Sequence, residues 1–205
     1  MAGQPLSGQL ASTSLSAAHL RALLMGLYIL LAAIGAQIAF PLPPFGVPQT
    51  LQTLVVILAA LHLGPRWGTC GMLAYIAIGA IGAPVFSKGE AGLAVVLGQT
   101  GGYLVGFVIS QPIIAACVRR PDGSARGWGG IVLGSLLGHA AIFAIGVPWL
   151  YLVRRFDASE AVNSLSMRDA LYGGFVVFIP GTILKTLIAY LIARATLPWA
   201  MKRIW

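Results

Sequence analysis

Long apolar stretches dominate this 205-residue chain, and segments rich in proline, glycine or basic residues separate them. About 20 apolar residues are enough to cross the hydrocarbon core of a bilayer as a helix. Charged residues make up only 9% of the chain, whereas about 25% is usual for a soluble domain. A folded chain with so little charge cannot cover its whole surface with water-facing groups. The sequence therefore predicts an integral membrane protein and excludes an ordinary soluble enzyme or a disordered basic protein.

The breaks between the apolar stretches predict six membrane helices. Residues 1–18 are rich in Ser, Ala and Gly and carry no charge, so we expect a poorly ordered tail, followed by a single membrane domain over residues 19–205. The expected fold class is an all-α integral membrane protein, a bundle of six transmembrane helices. The spans are expected at about Leu20–Ala39, Gln49–Leu63, Gly68–Ala83, Leu93–Val118, Trp128–Leu150 and Ala170–Leu197.

The basic residues are distributed unevenly between the two ends of the predicted bundle. Their short runs between apolar stretches argue against nucleic-acid binding, despite a net charge of +8. One end carries Arg21, Arg66, Arg119, Arg120, Arg126, Arg194, Lys202 and Arg203, and the other carries Lys88, Arg154, Arg155 and Arg168. Because cytoplasmic loops carry an excess of lysine and arginine, we expect both termini to be cytoplasmic. The proline-rich loop at residues 40–48, the loop at 84–92 and the polar segment at 151–169 then face outward.

A single lysine, Lys185, lies well inside the last apolar stretch. A charge at the centre of a membrane helix costs about 2.5–3.5 kcal/mol on insertion scales. Pro180 and Gly181 precede it closely, so one interpretation is that the ammonium group snorkels to the membrane surface. The other is a polar cavity in the outer half of the bundle, where an anionic or strongly polar ligand meets Lys185. Thr182, three residues earlier, shares that helix face.

A glycine-rich segment, GQTGGYLVGF at residues 98–107, mixes small, polar and aromatic residues. Its glycines leave one side of a helix without side chains, while Gln99, Thr100 and Tyr103 offer hydrogen-bonding groups beside it. This arrangement suits a compact ligand that touches the backbone. Glycines also allow two membrane helices to pack closely, and the sequence alone does not favour one interpretation over the other.

The chain has no pattern typical of catalysis, nucleotide binding or metal binding. A phosphate-binding loop of the G-x-x-x-x-G-K-[ST] type is absent, and the three histidines lack metal-ligand spacing. Ser135 and His139 share a helix face, but no acidic residue accompanies them to orient the imidazole. We therefore expect neither an enzyme nor a cofactor. The alternative is a small intramembrane enzyme that uses Lys185 or the Ser135/His139 pair.

Three segments of the chain resemble the BioY family, the substrate-binding S-components of energy-coupling-factor biotin transporters. The segments are PQTLQTLVVILAALHLGPRWG at Pro48–Gly68, YIAIGAIGAPVFSKGEAGLAVVLGQTGGYLVGF at Tyr75–Phe107, and FIPGTILK at Phe178–Lys185. The resemblance implies a six-helix component of the bacterial cytoplasmic membrane that binds biotin near its outer face. An S-component for another small vitamin or a relative of biotin is the alternative.

The resemblance also implies partners beyond biotin and the lipid bilayer. Family members usually work with a transmembrane coupling protein and two cytoplasmic ATPases. Small residues recur four apart in the first apolar stretch, at Ala22 and Gly26 and again at Ala32 and Ala36. Such spacing lets another helix approach. We expect contact with the coupling protein through Ala32 and Ala36, where S-components present small residues.

Within the ligand site, the resemblance points to the middle and closing segments. The substrate-binding residues it implies are Glu90, Gln99, Thr100, Gly101, Gly102, Tyr103, Thr182 and Lys185. The closing motif of the family usually reads P-G-D-x-x-K, and here Thr182 replaces the acid, although a buried unpaired ammonium is costly. The ligand carboxylate could pair with Lys185, Glu90 could fold in to replace the acid, or the lysine could stay neutral until the ligand arrives. We expect the second, because Glu90 is the one acid in the middle segment.

Overall fold

The computed structural model describes residues 16–42, 47–156 and 166–205, and it is nearly all helical. Two short strands, β1 (Ala39–Pro41) and β2 (Pro48–Thr50), form an antiparallel pair. The helices are α1 (Ala17–Gln37), α2 (Gln52–Ala80), α3 (Leu93–Leu97), α4 (Gly101–Val118), α5 (Trp128–Phe156), α6 (Met167–Gly174) and α7 (Ile179–Arg203). Five helical stretches of this part of the chain are long and apolar enough to cross a membrane. The all-α membrane fold class is confirmed.

Two of the six predicted spans lie within α2, which folds back on itself. Gly64 has a φ of 76°, and Pro65 follows it without an N–H donor, so the helical hydrogen bonding breaks at this point. Gln52 Nε2 nevertheless donates to Tyr75 Oη at 2.6 Å, which places the two ends of α2 side by side. The single assigned helix is thus a hairpin of two membrane segments.

The boundaries of the other predicted spans need correction. The helix α1 starts at Ala17, where Ser16 Oγ accepts from the His19 N–H, so the predicted tail ends earlier than residue 18, and residues 1–15 lie outside the described part. The fourth span is divided into α3 and α4, and the sixth into α6 and α7. The fifth span, α5, continues to Phe156, and Arg154 and Arg155 lie in its last turn instead of in the polar segment. Residues 157–165 of that segment are outside the described part.

Helices α4 and α5 pack closely through glycines of the 98–107 segment. A Cβ atom at Gly102 would lie 2.3 Å from Cβ of Trp149, and one at Gly106 would lie 2.7 Å from Cα of Ile142. Real Cβ contacts are longer, so no other residue fits at either position without displacing α5. This close approach holds Ile142 and Phe143 of α5 against Tyr103 and Phe107 of α4, around one end of the bundle.

The C-terminus closes the other end of the bundle. Trp205 Nε1 donates to the carbonyl oxygen of His62 at 3.1 Å, and Arg119 Nη2 donates to the same oxygen at 3.1 Å. The Arg119 guanidinium also stacks over the Trp205 ring at 4.0 Å, and Arg21 Nε donates to the carbonyl oxygen of Ile204 at 2.7 Å. Burial and the charge of nearby Arg21 lower the pKa of Arg119 to about 10. Arg119 therefore stays charged at neutral pH while it caps the bend of α2.

Candidate functional site

A cavity of about 460 Å³ lies where the β-hairpin, the 84–92 loop and the first turns of α2, α4 and α7 meet. This volume falls in the range of about 300–1,000 Å³ that small-molecule sites occupy. Aromatic and aliphatic side chains form much of its wall, and a few polar groups converge on it. Its lining includes Thr50, Gln52, Thr53, Phe86, Glu90, Gly98, Gln99, Thr100, Tyr103, Phe107, Ile142, Phe143, Phe178 and Lys185.

The ammonium group of Lys185 lies at the wall of this cavity. The side chain is only 5% exposed, which excludes the snorkelling interpretation. Lys185 Nζ donates to the carbonyl oxygen of Thr50 at 3.2 Å and to Thr53 Oγ1 at 2.5 Å. An ammonium group has three N–H donors, so the described residues leave one donor for a ligand.

Glu90 lines the same cavity from its exposed rim and forms no ion pair with Lys185 in the described structure. A tight turn holds it there, because the Glu90 N–H donates to the carbonyl of Ser87 and the Glu90 carbonyl accepts from the Phe86 N–H. The pairing expected from the sequence is therefore absent here. Instead of a carboxylate, the neutral oxygen atoms of the Thr50 carbonyl and the Thr53 hydroxyl accept the hydrogen bonds of Lys185.

The 84–92 loop is fixed over the cavity by buried and partly buried hydrogen bonds. Tyr75 Oη donates to the carbonyl of Val85 at 2.7 Å, and Gln52 Nε2 donates to the same hydroxyl group. Gln37 Nε2 reaches from α1 to the carbonyl of Phe86 at 3.0 Å. The ring of Phe86 occupies the space that a side chain at Gly79 would need. The loop thus forms a preformed wall of the site.

The break between α3 and α4 supplies the polar residues on the other side of the cavity. Gly98, Gln99 and Thr100 lie between the two helices and line the cavity. Trp149 Nε1 donates to the carbonyl of Gly98 at 2.8 Å and holds this break against α5. Tyr103 lines the cavity one turn further on, and its hydroxyl donates to the carbonyl of Gly174 at 3.0 Å.

Five of the eight residues expected from the sequence share this cavity, namely Glu90, Gln99, Thr100, Tyr103 and Lys185. Gly101, Gly102 and Thr182 do not line it. A Cβ at Gly101 would meet the carbonyl of Val96, and Gly102 packs against Trp149, so close packing explains both glycines. The hydroxyl oxygen of Thr182 is buried and has no hydrogen-bond partner in the described part of the chain.

Several cavity residues were not singled out from the sequence. Thr50 and Thr53 hold the lysine, and the phenyl rings of Phe107, Phe143 and Phe178 form apolar walls. One signal was present, because Thr50 and Thr53 belong to a polar cluster with Gln49 and Gln52 at the start of a span that is apolar after it. The phenylalanines carry no such signal, since an aromatic residue in a membrane helix faces lipid as readily as a cavity.

The Ser135/His139 pair is not arranged as a nucleophile and its base. Ser135 Oγ donates to the carbonyl of Ile131 at 2.8 Å, while His139 Nδ1 lies 2.9 Å from the carbonyl oxygen of Ser135. Each side chain is therefore engaged with the backbone of its own helix. The described residues bring no carboxylate to the imidazole.

The expected partner contact on α1 also needs correction. Ala32 is 1% exposed and Ala36 is not exposed at all, because this side of α1 packs inside the bundle. A Cβ at the neighbouring Gly35 would lie 3.2 Å from the backbone nitrogen of Gln52. These small residues thus bring α1 close to α2, and the prediction that Ala32 and Ala36 face a partner is wrong for this structure. Ala22 and Gly26 are exposed on the same helix.

Comparison with known proteins agrees with the resemblance seen in the three segments. The BioY family model matches residues 9–202. The biotin transporter BioY of Thermotoga maritima is 34% identical over 82% of this chain and 90% of its own length. The probable biotin transporter BioY of Pyrococcus horikoshii is 38% identical over 83% of this chain and 92% of its own length. The biotin transporter BioY of Rhodobacter capsulatus is 34% identical over 83% of this chain and 90% of its own length.

A solved structure shares the fold. The crystal structure of the S-component for biotin from an ECF-type ABC transporter matches with a TM-score of 0.74 at 24% identity, over 85% of this chain and 89% of that one. The same arrangement of membrane helices thus occurs in that S-component. With the family model spanning nearly the whole sequence, the chain belongs to the BioY family.

Proposed function

We propose that this protein binds biotin in the cavity at Lys185 and takes it up as the substrate-binding component of an energy-coupling-factor transporter. The observation that carries the proposal is a buried ammonium group with one free N–H, facing a preformed cavity of ligand size. The relatives named as biotin transporters support the choice of ligand.

The lining of the cavity suits the chemistry of biotin. Biotin has a fused ureido–thioether head, an apolar arm and a carboxylate. Phe107, Ile142 and Phe143 can cover the apolar parts, and the free N–H of Lys185 can donate to a ligand oxygen. The two ureido N–H groups need acceptors, which the Glu90 carboxylate and the Gln99 amide oxygen can supply.

The eight residues expected to bind substrate then have two kinds of role in this proposal. Glu90, Gln99, Thr100, Tyr103 and Lys185 contact the ligand. Gly101, Gly102 and Thr182 act from behind the cavity wall, where the two glycines set the distance between α4 and its neighbours. The protein catalyses no covalent change, and its cavity needs no cofactor.

The membrane location and the partners follow from the same proposal. The protein is expected in the bacterial cytoplasmic membrane with the cavity outward and both termini cytoplasmic, as the distribution of lysine and arginine indicates. A transmembrane coupling protein and two cytoplasmic ATPases would supply the energy. We assign the contact with the coupling protein to the exposed side of α1 at Ala22 and Gly26. Among the described residues, no atom outside the α1 backbone lies within 4 Å of a Cβ built at Gly26, so another helix can approach there.

Calorimetry of the purified protein in detergent against four ligands tests the proposal. Biotin, desthiobiotin, thiamine and riboflavin are titrated separately under identical conditions. We expect one biotin to bind per chain and desthiobiotin to bind more weakly, because it lacks the thioether ring that packs against the apolar walls. Thiamine and riboflavin are expected to give no binding heat.

If thiamine or riboflavin bound more tightly than biotin, the ligand would be another vitamin, and the proposed ligand would be contradicted. Absence of binding by all four, in protein that unfolds cooperatively, would contradict a vitamin-binding role. An enzymatic role would instead show as conversion of the titrated ligand, which mass spectrometry of the recovered ligand detects.

A further inference from the structure

A second groove lies between α5 and α7 at the end of the bundle opposite the cavity. It has a volume of about 450 Å³. Its apolar floor includes Ile131, Leu197 and Met201, all at least partly buried. Trp128, Tyr190 and Arg194 contribute its polar groups. Nothing in the proposed binding of biotin uses this groove.

The polar groups of the groove can all donate hydrogen bonds, and the described residues offer them no acceptor. Arg194 is exposed and Trp128 is 73% exposed. Within residues 16–42, 47–156 and 166–205, the guanidinium of Arg194, the indole N–H of Trp128 and the hydroxyl of Tyr190 form no hydrogen bond with protein. Guanidinium and indole groups have donors and no acceptor. The groove is therefore suited to a ligand whose polar part offers acceptors.

The charge around the groove favours an anionic ligand. The same end of the bundle carries eight basic residues, which are Arg21, Arg66, Arg119, Arg120, Arg126, Arg194, Lys202 and Arg203. In the described part of the chain, its one acid is Asp122, whose carboxylate accepts from the N–H and the hydroxyl of Ser124. These hydrogen bonds lower the pKa of Asp122, so it stays ionised and engaged with Ser124. Arg194 keeps no carboxylate partner among the described residues.

The tryptophans indicate that this end of the bundle lies at the membrane surface. Four of the five tryptophans in the sequence belong to it: Trp67 just after the bend of α2, Trp128 at the start of α5, and Trp199 and Trp205 near the C-terminus. Tryptophan is enriched at the boundary between hydrocarbon and water. With Trp128 at its rim, the groove runs from the headgroup level into the hydrocarbon.

We infer that this groove binds an anionic phospholipid, with the lipid phosphate at Arg194 and an acyl chain along Ile131, Leu197 and Met201. Basic pockets between membrane helices are known binding places for anionic headgroups. The apolar floor distinguishes a phospholipid from free phosphate, because a small inorganic ion leaves that surface uncovered. The inference is independent of the identity of the transported ligand.

Native mass spectrometry of the full-length protein tests the inference. Protein in detergent is equilibrated with equal amounts of phosphatidylglycerol and phosphatidylcholine that have identical acyl chains, and the retained lipid is counted. We expect preferential retention of one phosphatidylglycerol. Arg194→Gln should reduce that retention by about fivefold, as expected for the loss of one basic residue near an anionic headgroup. Arg66→Gln, at an exposed arginine of the same end but outside the groove, is the matched control and should retain lipid as the wild type does.

The two variants are compared by thermal unfolding in detergent without added lipid, and equal midpoints show that both are folded. Equal retention of the two lipids would overturn the inference, and so would unchanged retention by Arg194→Gln. Complete displacement of the lipid by an equal concentration of inorganic phosphate would show a simple anion site and would also overturn it. A dimer that forms without lipid and is lost in Arg194→Gln would assign the groove to a second copy of the chain instead.

Discussion

Lys185 has three N–H donors, and the fold uses two of them on Thr50 and Thr53. A buried cation is costly without compensation, and neutral oxygens compensate it only in part. Thr182 stands where the family usually has an acid, and no other carboxylate among the described residues forms an ion pair with Lys185. We propose that the ligand and Glu90, at the rim of the cavity, supply the remaining compensation.

Glu90 gives a prediction at the residue scale. Glu90→Gln should weaken biotin binding at least about tenfold, because a carboxylate accepts stronger hydrogen bonds from ureido N–H groups than an amide does. Calorimetric affinities of Glu90→Gln and of the matched control Asp122→Asn, an exposed acid at the opposite end, provide the measurement. Equal affinities of Glu90→Gln and the wild type would remove Glu90 from the site.

At the element scale, the break between α3 and α4 and the close packing of α4 on α5 shape the cavity. The break places Gly98, Gln99 and Thr100 at the cavity, while Gly102 and Gly106 let α5 pack closely against α4. The same short glycine-rich segment therefore lines the cavity and also packs against α5. Residues before the start of α4 face the cavity, and residues on its glycine side face α5.

Gly106 tests this packing. Gly106→Ala places a Cβ 2.7 Å from Cα of Ile142, and overpacking of this kind typically costs about 1–3 kcal/mol. We expect a lower thermal unfolding midpoint and weaker biotin binding, because Ile142 also lines the cavity. Gly129→Ala in α5, where a Cβ meets no atom within 4 Å, is the control and should not lower the midpoint. Equal midpoints for the two variants would show that α5 adjusts freely.

Apolar length and the breaks between apolar stretches were enough to predict the membrane segments, and a charge in apolar surroundings was enough to single out Lys185. The breaks inside spans were harder to predict, because the short polar run Gln99–Thr100 does not by itself end a membrane helix, and the hydrogen bond from Trp149 to the carbonyl of Gly98 is a tertiary contact. The β-hairpin is formed by strands of three residues, too short to show an alternating pattern. The partners of Lys185 could not be predicted, because a backbone carbonyl at Thr50 and a hydroxyl at Thr53, 135 and 132 residues away, accept its hydrogen bonds.

At the scale of the whole molecule, the two ends of the bundle have different chemistry. One end encloses a cavity under a hydrogen-bonded loop, and the other is basic, rich in tryptophan and closed by the C-terminus. This asymmetry supports an outward cavity and a cytoplasmic C-terminus, because the excess of lysine and arginine marks the cytoplasmic side.

Cysteine labelling in intact cells checks this orientation. In a background with Cys70 and Cys117 changed to serine, Pro84→Cys and Lys202→Cys place one thiol at each end. We expect a membrane-impermeant maleimide to label Pro84→Cys in intact cells and Lys202→Cys only after lysis. The reverse pattern would invert the orientation and assign the cavity to the cytoplasmic side.

The central claim is that biotin binds in the cavity beside the ammonium of Lys185. Calorimetric titration of biotin into Lys185→Met, next to Lys202→Met as a lysine control at the other end, tests it most directly. A hydrogen bond to a charged group contributes about 1.5–3 kcal/mol, so Lys185→Met should bind biotin at least about tenfold more weakly while Lys202→Met binds as the wild type does. Wild-type affinity in a folded Lys185→Met protein would contradict the claim.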